Sequence, residues 1–298
     1  MWHPPQGYVN RAVAVLGAGV LGRRIACCWA SAGYQVRIRD PMEQQRKAAV
    51  DYVNSNVASY AKFTKKTPGS VAAFEDLRSA VKDAWLVFEV VPEKLPIKID
   101  TFAELEKVAP DDCILASNSS SYKSSEMIEK VSETTKGRIL NAHYYMPPAN
   151  MMVELMTDGY THPEILPFLA ERHKEAGLVP FIARKESSGL IFNRAWAAVK
   201  REFLTIMAEG VSTPEELDQM WKLFFQAKQA PCRFMDEVGL DTVQHIEEHY
   251  IKERGLSKES KEKTVDFLED NYIKPGKLGN KSDKGGLYPP GYTHDALV

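Results

Sequence analysis

Short apolar runs alternate with longer segments of helical spacing through the first 185 residues of the chain. The apolar runs lie at 12–16, 34–39, 85–91, 113–116 and 139–142, with a further pair at 152–155 and 178–183. Short continuous apolar runs between turn residues are typical of buried parallel strands. The helical segments between them lie at 20–31, 42–63 and 94–108. This alternation predicts an α/β fold, a Rossmann-type doubly wound parallel sheet with helices on both faces.

The pattern changes near residue 185, after which only helical spacing remains. A long helix is predicted over 190–209, and two more over 240–254 and 258–271. Between them, Thr213 followed by Pro214 has the sequence of a helix start, with a capping hydroxyl before a proline in the first turn. The sequence therefore predicts two domains, an α/β domain over 1–185 and an all-helical domain over 186–298.

Composition narrows the possible partners. The net charge of −2 lacks the basic surplus of a nucleic-acid binder, so we expect a small-molecule substrate and no nucleic acid. No stretch approaches the ~18 apolar residues of a membrane span, and no signal peptide is indicated, so a cytoplasmic protein is expected. His245 and His249 fit the H-x-x-E-H pattern of zinc peptidases, but no third ligand motif accompanies them, and we expect no metal.

A glycine motif follows the first predicted strand and opens the first predicted helix. Its residues are Gly17, Ala18, Gly19, Val20, Leu21 and Gly22, which fit G-x-G-x-x-G. In this context the glycines permit a tight turn, a close approach of the backbone to a pyrophosphate, and helix–strand packing. Asp40, at the end of the second strand, is placed to accept hydrogen bonds from a ribose diol, which favours NAD over NADP. Arg39 beside it could instead pair with a phosphate.

Polar residues stand at the ends of two later strands. Asn118 and Ser120 lie in the Ser-Asn-Ser-Ser-Ser run at 117–121, and His143 follows the strand at 139–142. Ligands of open parallel sheets bind beyond the carboxyl ends of the strands, so these groups are expected at the cofactor crevice. Glu154 is a candidate partner that would fix the tautomer of His143 and raise its basicity. Taken alone, this His–Glu spacing is more typical of an ordinary strand-end histidine.

Taken together, these stretches resemble the L-3-hydroxyacyl-CoA dehydrogenase family, which includes L-gulonate 3-dehydrogenase and lambda-crystallin-like proteins. The matching segments are 13–26, 88–98, 114–121, 143–154, 188–194, 238–242 and 277–288. The resemblance implies a catalytic base at His143, oriented by Glu154, and a homodimer formed through the helical domain, which also closes over the substrate. It further implies substrate contacts at Ser120 and Asn193 and cofactor contacts at Glu93 and Lys98.

The chain departs from this family where a CoA ester would bind. Segment 42–83 is shorter than the helical arm of the CoA-binding enzymes, and Met146 replaces the family's usual asparagine. The His-to-Glu spacing is also one residue shorter than usual. The favoured function is NAD-dependent oxidation of a 3-hydroxyacyl-CoA-type substrate, as in fatty acid metabolism. The alternatives are a dehydrogenase of a free 3-hydroxy acid of the L-gulonate or carnitine type, and a non-catalytic crystallin-like NAD-binding protein.

Overall fold

The computed structural model describes residues 2–292, and the chain divides into two compact units between Ile191 and Phe192. The first unit contains one eight-stranded sheet. Its strands are β1 (Ala12–Leu16), β2 (Val36–Arg39), β3 (Val71–Phe74), β4 (Ala84–Glu89), β5 (Ile114–Ser117), β6 (Ile139–Met146), β7 (Asn150–Thr157) and β8 (Val179–Ala183). Their order across the sheet is β3-β2-β1-β4-β5-β6-β7-β8, and β7 is antiparallel to β6.

Helices join and cover these strands. They are α1 (Val20–Ser31), α2 (Glu43–Thr64), α3 (Leu77–Val81), α4 (Leu95–Val108), α5 (Glu133–Lys136) and α6 (Ile165–Glu175). Successive residues of a strand point to opposite faces, and in β1 Val13 and Val15 enter one apolar core while Ala14 and Leu16 enter the other. Both faces of the sheet are therefore buried, and the predicted doubly wound α/β fold is confirmed.

The sequence did not predict β3. This edge strand pairs only with β2, and three of its four residues are half-buried while the fourth is exposed. It therefore lacks the continuous apolar run that marks the central strands. α2 leads through a brief loop into β3.

The second unit is helical, as predicted. Its helices are α7 (Phe192–Ala208), α8 (Pro214–Phe225), α9 (Pro231–Val238), α10 (Leu240–Arg254) and α11 (Lys258–Lys261). Thr213 caps α8 by accepting a hydrogen bond from Glu216 N at 3.3 Å. The helix predicted over 258–271 is interrupted, since π-helical turns occupy Glu262–Asp266 and Glu269–Ile273. Across residues 2–292, none of the helices is long and apolar enough to cross a membrane.

Candidate active site

The glycine motif forms a tight turn between β1 and α1. Gly17 has φ +111°, and a Cβ there would lie 2.3 Å from the carbonyl oxygen of Val90. A Cβ on Gly22 would lie 1.9 Å from the carbonyl oxygen of Gly17, so this glycine is needed for helix–strand packing. Gly19 differs, because a Cβ there would meet open space. Gly19 is the N-cap of α1, whose first residues are Val20 and Leu21, so free backbone N–H groups and the positive end of the helix meet at an unfilled surface.

Asp40 is held against this turn. Its Oδ2 accepts a hydrogen bond from Ala18 N at 2.9 Å, and its Oδ1 accepts one from Met42 N at 2.9 Å. The neighbouring Arg39 donates from Nε to the backbone oxygen of Glu75 at 3.1 Å. The structure thus brings the carboxylate to the glycine turn and engages Arg39 with the residue that follows β3.

A buried ionic network lies beyond the end of β4. Lys98 Nζ is 2.8 Å from Glu89 Oε1 and 3.0 Å from Glu93 Oε2, and Lys98 and Glu89 are each no more than 1% exposed. Burial opposes ionisation of Glu93, but the charge of Lys98 and the hydrogen bond from Ser119 outweigh it and lower the pKa of Glu93. Ser117 Oγ also donates to Glu89 at 2.5 Å. The network fixes the loop after β4 to the end of β5.

The polar loop after β5 is tied to β6 by two asparagines. Asn118 Oδ1 accepts from Tyr144 N at 2.9 Å, and Ser119 Oγ donates to Glu93 at 2.5 Å. Asn141, on β6, accepts from Ser124 N at 2.7 Å and donates to the carbonyl oxygen of Tyr122 at 3.2 Å. Ser120, between these anchored residues, has an exposed side chain. The loop is therefore rigidly held while the predicted substrate-contacting serine faces outward.

His143 and Glu154 lie directly opposite each other on the antiparallel strands β6 and β7. They are 7% and 2% exposed. Burial lowers the pKa of His143 to about 4, although the charges of Glu154 and Glu93 act in the opposite direction. His143 Nδ1 is shielded from solvent and has no hydrogen-bond partner among the described residues. Glu154 Oε2 accepts from Ile191 N at 2.6 Å, and its Oε1 accepts from the hydroxyl of Tyr145.

Asn193 lies in the second unit, in the first turn of α7, so its predicted contact with substrate stays a prediction. Sequence reasoning missed Asn141 and Tyr145. Each lies two residues from His143 on β6, so all three side chains point to the same face of the sheet. This spacing of two residues is the signal that could have found them. Among residues 2–292 there is no group of three or more His, Cys, Asp or Glu side chains arranged to hold a metal ion.

Family models match both units of the chain. Residues 12–187 match the NAD binding domain of 3-hydroxyacyl-CoA dehydrogenase, and residues 189–288 match its C-terminal domain. The chain belongs to the 3-hydroxyacyl-CoA dehydrogenase family. It is an enzyme of this type, and its cofactor is NAD.

Individual relatives agree with the family. A probable 3-hydroxybutyryl-CoA dehydrogenase of Bacillus subtilis is 28% identical, with 92% of this chain and 96% of the relative covered. The 3-hydroxyacyl-CoA dehydrogenase-like protein LAM1 of Cochliobolus heterostrophus is 47% identical over 55% of this chain, and that match spans only 34% of LAM1. The solved structure of a diketoreductase that acts on dicarbonyl compounds has a TM-score of 0.77 at 29% identity, with 94% of this chain and 99% of that chain covered.

The residues present fit NAD. The open surface at Gly19 accommodates a pyrophosphate at the start of α1, and Asp40 offers carboxylate oxygens for ribose hydroxyls. Glu93, in the loop after β4, and Lys98, in the first turn of α4, lie on the same edge of the sheet as the glycine turn, which is where a cofactor of this fold extends.

Proposed function

We propose that the protein catalyses NAD-dependent interconversion of a 3-hydroxyacyl substrate and its 3-oxo form, with His143 as the general base and acid. The observation that carries the proposal is the buried His143 placed opposite Glu154 at the carboxyl end of the sheet. A neutral imidazole can accept a proton, and a fixed carboxylate beside it stabilises the imidazolium that forms.

Each side chain has a defined task in this reaction. When bound, NAD supplies the hydride acceptor. His143 takes the proton of the substrate's 3-hydroxyl group, and because Nδ1 is enclosed, Nε2 is the nitrogen that meets the substrate. Ser120 holds the developing alkoxide oxygen by a hydrogen bond. In the reverse direction the imidazolium returns the proton as the carbonyl is reduced.

The test compares two histidine variants in an NADH-consumption assay with acetoacetyl-CoA. His143→Gln should lower kcat by at least about 100-fold, the usual scale of a general acid–base contribution, and leave NADH binding near wild type. The matched control is His162→Gln, an exposed histidine of the same unit, which should keep wild-type turnover. Equal kcat for His143→Gln and wild type would refute the assignment of the base.

A free 3-hydroxy acid of the L-gulonate or carnitine type is a second candidate substrate. The single helix α2 passes through a short loop into β3, with no second helix between them. Of the nearby basic residues, Lys66 lies 3.9 Å from Glu175, so its charge is partly neutralised. The likeness to a diketoreductase also supports a substrate without CoA. Turnover of free 3-oxo acids, with none of acetoacetyl-CoA in the same assay, would select this candidate.

We further propose a homodimer formed through the second unit. Helix α8 exposes four large apolar side chains: Met220 is 66% exposed, Leu223 62%, Phe224 82% and Phe225 58%. A patch of this kind is unusual on a monomer and is typical of an interface. Phe224→Glu should convert a dimer to a monomer in size-exclusion chromatography with light scattering, whereas Gln229→Glu should not. A wild-type chain that runs as a monomer at micromolar concentration would refute the proposal.

A cytoplasmic location and a place in fatty acid metabolism stay predictions.

A further inference from the structure

Two carboxylates share a single ammonium group at the carboxyl end of β4. Lys98 Nζ lies 2.8 Å from Glu89 Oε1 and 3.0 Å from Glu93 Oε2. Glu89 also accepts hydrogen bonds from Val91 N at 2.9 Å and from Ser117 Oγ at 2.5 Å. Cations and hydrogen-bond donors in contact with a carboxylate favour its charged form. With both carboxylates charged and one lysine between them, the group keeps one uncompensated negative charge.

Glu93 is the member of this group that can act on a ligand. Glu89 is fully buried, whereas 41% of the Glu93 side chain is exposed. Ser119 Oγ and Ser121 N donate to Glu93 Oε1 at 2.5 and 3.2 Å, so the carboxylate is held in place. Lys94 is an exposed cation next to it in the chain, and within residues 2–292 it forms no ion pair with either carboxylate. Glu93 therefore presents a fixed negative charge at the edge of the sheet.

The order of the strands relates this charge to the two halves of the cofactor. A sheet of the order β3-β2-β1-β4-β5-β6 binds a dinucleotide across its middle, with one mononucleotide on each side of β1. Asp40, the candidate ribose contact, follows β2, which assigns the adenosine half to that side. The nicotinamide half then belongs to the side of β4 and β5. Glu93 follows β4 and is bonded to the loop after β5, so it lies on the nicotinamide side.

We propose that Glu93 sets the preference of this site between the two redox forms of its cofactor, by favouring the cationic ring of NAD⁺ over the neutral ring of NADH. The two forms differ by one hydride, which brings two electrons and a hydrogen nucleus to the ring and removes its positive charge. A fixed carboxylate nearby attracts the cationic ring and has no such attraction for the neutral one. The same attraction assists hydride donation from NADH, during which the ring becomes cationic. This inference depends on NAD as the cofactor and is independent of the role of His143.

The test measures binding of both cofactor forms to Glu93→Gln. This variant removes the charge and keeps the length of the side chain and an oxygen acceptor for Ser119 and Ser121. NADH fluorescence gives the Kd of NADH, and displacement of NADH gives the Kd of NAD⁺. In the ratio Kd(NAD⁺)/Kd(NADH), contributions from the shared adenosine and pyrophosphate cancel. The ratio should rise about tenfold in Glu93→Gln, since one charge at short range changes affinity on this scale at a partly solvated site.

Two further variants separate the local charge from other effects. Glu104→Gln is the matched control, because it removes the same charge from an exposed position of α4 beyond Lys98, and its ratio should match wild type. Glu93→Asp keeps the charge and should keep the ratio near that of wild type. An unchanged ratio in Glu93→Gln, or an equal rise in Glu104→Gln or Glu93→Asp, would overturn the inference. Turnover by His143→Gln tests the proposed function separately, because these binding ratios do not depend on it.

Discussion

Replacing Lys98 by methionine tests how much the buried network contributes to stability. The substitution keeps most of the volume of the side chain and removes its charge, leaving Glu89 in the interior without a cation. Removing one partner of a buried ion pair costs about 3–5 kcal/mol of unfolding free energy, because an uncompensated charge stays buried. For a unit of this size, that corresponds to a fall in Tm of roughly 6–20 °C.

The matched control is Lys130→Met. Lys130 lies 2.6 Å from Asp100, closer than the 2.8 Å between Lys98 and Glu89, but its side chain is 53% exposed. An exposed pair contributes about 0–1 kcal/mol to the unfolding free energy. If distance set the strength of a pair, Lys130→Met would cost more than Lys98→Met, whereas burial predicts the opposite order. The double variant Glu89→Gln with Lys98→Met should recover part of the loss, because no unpaired charge then remains at Glu89.

Urea unfolding without NAD, followed by tryptophan fluorescence, measures these differences. Trp29 and Trp85 are both fully buried in the first unit, so its unfolding contributes to the signal, and Trp196 and Trp221 add the contribution of the second unit. Omitting NAD matters because bound ligand would add its own stabilisation. If Lys98→Met costs no more than Lys130→Met, burial does not determine the strength of this pair and the reasoning is wrong.

Three further predictions concern the glycine turn, the cofactor and acid stability. Gly19→Ala should change unfolding free energy by less than about 1 kcal/mol and still weaken NADH binding in a fluorescence titration, because its Cβ meets only the space where a ligand binds. Gly17→Ala should destabilise the protein as well, and equal stability of the two variants would contradict this. Asp40→Ser should raise kcat/KM with NADPH relative to NADH, and an unchanged ratio would show that Asp40 does not select the cofactor. Burial lowers the pKa of His173 to about 4, below the ordinary 6.5, so the folded protein binds fewer protons than the unfolded chain and loses stability as pH falls below 6.5. At pH 5 this loss is about 2 kcal/mol, and His173→Gln should reduce the difference between unfolding free energies at pH 7 and pH 5.

Much of the fold could be predicted because burial on both faces leaves a continuous apolar run. The predicted bounds of α1, 20–31, coincide with the structure, since the glycine turn fixes where that helix begins. The same logic missed β3, an edge strand with little buried surface. It also joined 258–271 into one helix, because apolar spacing does not distinguish an α-helix from one with π-helical turns.

Some residues of the candidate site could likewise be predicted from the sequence, and others could not. The glycine turn and Asp40 were predictable because their spacing along the chain reflects the turn they form. The opposition of His143 and Glu154 depends on the register between two strands, which the sequence does not state directly. Tyr145 went unnoticed because its importance comes from a hydrogen bond across that register.

The pairing register of β6 and β7 changes near the loop that joins the two strands. It shifts by one residue between Tyr144 and Met146, beyond the His143–Glu154 pair on the side of the hairpin loop. A bulge of this kind absorbs an inserted or deleted residue without moving the strands below it. The one-residue difference in His-to-Glu spacing from the usual family pattern can thus be taken up at the hairpin tip. In evolutionary terms, the tip can vary in length while the opposition of His143 and Glu154 stays in place.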